Sequence, residues 1–185
     1  MMFRVVLLLI TLAPLSRAQS GGWLDSRPGH WNRAGSALPT APQLDRDEIP
    51  EICRNEPRKP ETPAERAVVS AGWMFIVSNR SADREVILGA ADLDGMCRPN
   101  QYQEFVFIAG KYAGTLSPKL MDSRTDGSIG RVSFRGPNIV VEFDRYRPED
   151  PFCCPSRISE AVFAVRTFHG NPVVAHLTVN TRDPH

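Results

Sequence analysis

Ile139-Val140-Val141-Glu142-Phe143-Asp144-Arg145-Tyr146 is the stretch whose reading decides the fold. In an extended chain Ile139, Val141 and Phe143 fall on one side and Glu142 and Asp144 on the other. Such a strand has one face in a core and one in water. Working outward, strand-like runs occur at residues 73–77, 85–88, 104–108, 112–116, 131–134, 159–168 and 173–179. Ala109-Gly110, Arg135-Gly136-Pro137-Asn138 and His169-Gly170-Asn171 separate neighbouring runs with turn chemistry, which predicts successive antiparallel hairpins rather than parallel crossovers. One helix precedes them. Thr62 can cap it, Pro63 suits its first turn, Glu65 completes a capping box and Gly72 can stop it, with Ala67, Val68 and Ala71 as the buried stripe. The expected fold class is α+β: an antiparallel β meander, curved or partly closed, with one short N-terminal helix.

The chain begins with Arg4, an apolar run from Val5 to Leu12, and then Pro14-Leu15-Ser16-Arg17-Ala18. Ser16 and Ala18 supply the small side chains that signal peptidase requires, so residues 1–18 read as a signal peptide and the mature chain is expected to start at Gln19. The apolar run is too short to span a bilayer, and no later stretch is long enough, so no membrane insertion is expected after leader cleavage. No cysteine near the cut offers a site for a lipid. Removing the leader takes away two arginines and no acid, moving the formal charge from +1 to one net negative charge. A surface so balanced gives no general attraction for nucleic acid or anionic lipid.

Residues 19–60 contain Pro28, Pro39, Pro42, Pro50, Pro57 and Pro60 without apolar periodicity, and read as an extended or mobile arm. Its two indoles, Trp23 and Trp31, are expected to dock on the chain's own domain, residues 61–185.

The four cysteines are Cys53, Cys97, Cys153 and Cys154, the last two adjacent in Asp150-Pro151-Phe152-Cys153-Cys154-Pro155-Ser156-Arg157. Outside the cytoplasm they should be oxidised. Neighbouring side chains of an extended segment point to opposite sides, so Cys153 and Cys154 are each expected to reach back, one to Cys53 and one to Cys97. Cys53 with Cys154 and Cys97 with Cys153 is the scheme favoured. A bond between Cys153 and Cys154 would instead promote a thiol redox protein, the alternative function.

Several segments, taken together in this order, resemble the LppP/LprE-like family of bacterial exported proteins. They are Trp31-Asn32, Gly72-Trp73, Asp94-Gly95-Met96-Cys97-Arg98-Pro99, Tyr102-Gln103-Glu104-Phe105-Val106-Phe107, Gly114-Thr115-Leu116-Ser117-Pro118, Asp122-Ser123-Arg124-Thr125-Asp126-Gly127 and the vicinal-cysteine run. The resemblance implies export to the bacterial envelope and a compact single domain, and brings no established biochemical activity. The named members are lipoproteins, and this sequence departs from them in lacking a lipobox cysteine.

No complete catalytic set accompanies these features. Asp92-Leu93-Asp94-Gly95 opens like a calcium loop, but Met96 takes the next ligand position, so a solvated acidic turn is expected. His30, His169, His176 and His185 lack metal-ligand spacing, and the alternation around His176 places it on the polar face. No cofactor and no metal are expected. Two patches are candidate recognition surfaces: the polar loop bearing Arg124 and Asp126, and the cysteine-turn flank bearing Arg145, Tyr146 and Arg157. For the second, an intramolecular salt-bridge rim is the more economical reading. The function expected is that of a non-catalytic exported cell-envelope module, secreted or periplasmic, with a binding or structural role and an unidentified envelope or extracellular partner.

Overall fold

The computed structural model describes residues 22–43 and 49–183. The leader, the mature start at Gln19 and His185 lie outside the described residues. The helix α1, Pro63–Ser70, starts with the capping box: Thr62 Oγ1 accepts from Glu65 N, and the Glu65 carboxylate accepts from Thr62 N. Its buried residues are Ala64, Glu65 and Val68. Ala67, expected in the stripe, is exposed, because the helix turns its capping glutamate inward, toward Ser78.

Eight strands follow: β1 Met74–Ser81, β2 Arg84–Leu93, β3 Pro99–Ile108, β4 Lys111–Thr115, β5 Ser128–Arg135, β6 Asn138–Arg145, β7 Arg157–Phe168 and β8 Asn171–Arg182. All pairings are antiparallel between consecutive strands, as the turn chemistry predicts. Ala109-Gly110 and His169-Gly170 each place two residues at positive φ, the conformation that a two-residue hairpin turn demands.

The meander is divided between two four-stranded sheets, β1-β2-β3-β4 and β5-β6-β7-β8. Residues 116–127 carry the chain from one to the other, with Met121 making a single bridge to Tyr102 on the way. The sheets pack through Leu88, Tyr102 and Val106 of the first and Ile139, Val141, Phe143 and Phe163 of the second. Ile139, Val141 and Phe143 are buried as their alternation predicts, while Glu142 and Asp144 face the wetter side. The outer face of the first sheet, with Phe75, Ile87, Phe105 and Phe107, is covered by Ala64 and Val68 of α1 and by Trp73. Gly89 permits that approach: a Cβ there would stand 2.8 Å from the Phe105 ring and 3.3 Å from Val68.

The arm packs onto this scaffold. Leu24, Ile49 and Cys53 belong to the main core. Trp23 donates to the Met121 sulfur, and Trp31 donates to the Thr115 carbonyl. The Asn32 carboxamide accepts from Thr115 N and donates to the carbonyls of Thr115 and Val174, joining β4 of the first sheet to β8 of the second. Gly114, at φ +126°, leaves the space for it: a side chain there would fall inside the Asn32 carboxamide.

Candidate functional site

The cysteines pair as Cys53–Cys97 and Cys153–Cys154, which corrects the long-range scheme. That scheme assumed an extended segment at the vicinal pair. The segment is a turn instead, with Cys154 N donating to the Pro151 carbonyl, so the two side chains no longer diverge across a strand. A 3-10 turn over Glu51–Cys53 and a tight turn at Asp94 meanwhile bring the Cα atoms of Cys53 and Cys97 to 5.2 Å. Asp94 builds its turn by accepting from Met96 N, Arg98 N and Arg98 Nε. Burial raises the Asp94 pKa, but the hydrogen bonds from Arg98 and Met96 outweigh it and hold the carboxyl below its usual range. The acidic motif therefore organises a turn, and among the described residues no group of three or more His, Cys, Asp or Glu could hold a metal ion.

The five candidate recognition residues separate into three groups. Arg124 lies between the Tyr146 and Phe152 rings, 4.3 and 4.7 Å from their centroids, and donates to the Asp150 and Pro151 carbonyls. Arg145 makes a two-pronged contact with Asp25 of the arm at 2.6 and 2.7 Å, and Arg157 reaches the same carboxylate at 3.6 Å. The Arg145 hydrogen bonds, opposed by burial and helped by Arg157, hold the Asp25 pKa down. Asp126 pairs with Lys119 at 2.6 Å. The geometry is that of an internal rim of charge pairs, in which each guanidinium fastens one segment of chain to another.

The Cys153–Cys154 bond is the pairing that the redox alternative calls for, but the bond alone is not redox chemistry, and the surroundings of the pair give that alternative no support. Cys153 and Cys154 are exposed, yet Arg157 is drawn to Asp25 and Arg124 to backbone carbonyls, so neither is free to lower a thiol pKa.

Residues 78–167 match the family model described as LppP/LprE lipoprotein. The chain is LppP/LprE-like. The matched span runs from within β1 into β7, across both sheets of the LppP/LprE-like chain. No curated protein and no solved structure matches it. The family match and the two disulfides fit an exported, envelope-associated protein.

In the LppP/LprE-like chain a further feature lies where the arm meets the helix. A cavity of about 450 Å³ is lined by Ile49, Arg54, Arg58, Val69, Trp73 and Phe75, among others. The backbone of Arg58 is fixed by donation to the Phe75 carbonyl, and Cys53, beside Arg54, is fixed by its disulfide. The segment reads as a linker in the sequence, yet two of the prolines that suggested mobility, Pro57 and Pro60, line the wall.

Two buried groups were also missed. Glu104 is fully buried on the inner face of β3, with no hydrogen-bond partner for either carboxyl oxygen among the described residues, and burial pushes its pKa up to about 8. His176 is 3% exposed, not on the polar face. It packs against Trp23, Trp31 and Phe163 with centroids 5.2 to 5.5 Å away, and burial lowers its pKa. The face carrying Val173, Ala175 and Leu177 is the more open one, while Val174 and His176 turn inward.

Proposed function

We propose that this protein is a non-catalytic binding module of the bacterial envelope, exported by residues 1–18 and acting in the periplasm or the external medium. The observation that carries the reading is the cavity between arm and helix, an apolar recess whose rim is held in place by the Cys53–Cys97 bond. A preformed recess with an apolar floor and a few charged groups is the usual form of a small-molecule site. The partly closed shell expected from the sequence belongs to the same reading. Its support is the Asn32 carboxamide between β4 and β8, which ties together the facing edges of the two sheets.

Two measurements test this. Expressed with its own first residues, the protein should accumulate outside the cytoplasm with an intact mass that lacks residues 1–18 and shows four oxidised cysteines. Cytoplasmic retention or free thiols would defeat the export reading. For binding, the mature chain is heated with chromatographic fractions of small molecules from a bacterial envelope extract. A ligand that binds the native state raises the melting temperature, by an amount that grows with the logarithm of its excess over the dissociation constant. No shift with any fraction would leave a structural role in place of binding.

A further inference from the structure

Most basic side chains of this molecule have a fixed employment. Arg80, Arg98, Arg135, Arg145, Arg147, Arg157, Arg182 and Lys119 sit in ion pairs, and Arg84 and Arg124 lie over aromatic rings. Arg54 and Arg58 are among the remainder, and they share a cavity. Both are exposed, and neither guanidinium has a carboxylate partner among the described residues. Glu51 and Glu56 belong to the same segment, but neither lines the recess. Beneath the two arginines the floor is apolar: Trp73, Met74 and Phe75 are each at least nine-tenths buried, and Ile49 and Val69 complete the wall.

Guanidinium pairs recognise carboxylates through parallel charge-assisted hydrogen bonds, whereas Trp and Phe surfaces take hydrocarbon. A ligand satisfying both has an anionic head and an apolar tail. We propose that this cavity binds a single-chain fatty acid, with the carboxylate at Arg54 and Arg58 and the hydrocarbon against Trp73, Phe75 and Val69. The proposal rests on the binding reading above and names the ligand class of that cavity. The volume suits one small molecule and is too small for the face of a folded partner.

A second groove, of about 490 Å³, sets a useful competitor. It also carries two arginines without carboxylate partners among the described residues, Arg33 and Arg166, but its floor is Val173, Val174 and Ala175 of β8, with no buried ring. Asn32, which lines it, is already committed to Thr115 and Val174.

The experiment is calorimetric titration of the mature chain with dodecanoate below its micelle concentration, with dodecanol and an acetylated peptide ending in leucine as comparison ligands. Dodecanoate should bind the unaltered protein and bind the Arg54→Ala/Arg58→Ala double variant at least about tenfold more weakly, the loss expected for one or more charge-assisted hydrogen bonds. Val69→Trp, at an exposed helix position that tolerates change, should block the mouth and weaken dodecanoate similarly. The Arg33→Ala/Arg166→Ala variant should bind as the unaltered protein does. The proposal is overturned if dodecanoate does not bind or if R54A/R58A binds it undiminished. It is equally overturned if the loss follows Arg33 and Arg166, or if the peptide binds more tightly than the fatty acid. Failure here would leave the melting-temperature screen free to identify a different small molecule, so the two readings fail separately.

Discussion

On the outer side of the first sheet Glu65 is 1% exposed, and its carboxylate accepts from Glu61 N, Thr62 N and Ser78 Oγ, with Arg80 at 3.5 Å. On the inner side Glu104 is equally buried and has no such partner among the described residues. Burial raises both pKa values, but for Glu65 the hydrogen bonds from Ser78, Thr62 and Glu61 reverse the outcome and leave it lowered. The pair teaches that burial sets the cost of a charge and partners decide whether it is met.

The largest effect should come from breaking this contrast at Glu104. Below pH 4.5 the group is protonated in both folded and unfolded chains; between 4.5 and about 8 only the unfolded chain ionises, so stability falls as pH rises through that window. Glu104→Met should therefore stabilise the protein at pH 9 by up to about 5 kcal/mol relative to its effect at pH 4. Urea denaturation at the two pH values measures it. A variant effect independent of pH would mean that Glu104 is not held neutral.

The two disulfides offer a second contrast, of nearly equal size. The Cys53–Cys97 bond closes 44 residues and should contribute about 4 kcal/mol, whereas the Cys153–Cys154 bond encloses a single peptide link and restricts the unfolded chain very little. Paired Cys→Ala replacements, followed by chemical denaturation, should separate them by more than about 2 kcal/mol. Equal losses would show that the vicinal turn anchors more structure than its loop length implies.

Glu65→Gln sharpens the first contrast from the other side. It should cost about 2 kcal/mol at neutral pH, since the charge-assisted bonds weaken. A depressed pKa means stability present above pH 4.5 and lost as pH falls through the folded value, so variant and parent should converge in acid. Thermal melts at pH 7 and pH 3 read this, and a constant gap would refute it. The smallest effect expected is about 1 kcal/mol for Thr62→Ala, which removes the helix cap and the hydroxyl donated to Glu85.

Legibility in the sequence followed locality. The capping box, the hairpin turns and the alternating strand of Ile139, Val141 and Phe143 are fixed by neighbours a few residues away, and all appear in the structure. What failed depended on distant partners. Strand β8 carries apolar residues on both faces, and only the arrival of Trp23 and Trp31 from the arm decides that the face with His176 is the inner one. The cysteine pairing turned on whether residues 151–154 extend or turn. Arg54 and Arg58 are brought together only by the packing of the arm, and nothing in their spacing distinguishes them from solvated charges.

The Asn32 stitch has a consequence for how the molecule comes to be assembled. Its bond to the Val174 carbonyl spans 142 residues, so the portion made first is fastened last. Contacts of such separation form slowly, and the two strands this one joins, β4 and β8, are each the edge of their sheet. The earliest part of the described chain is thus joined to its last strand by a contact that cannot form until synthesis is almost complete.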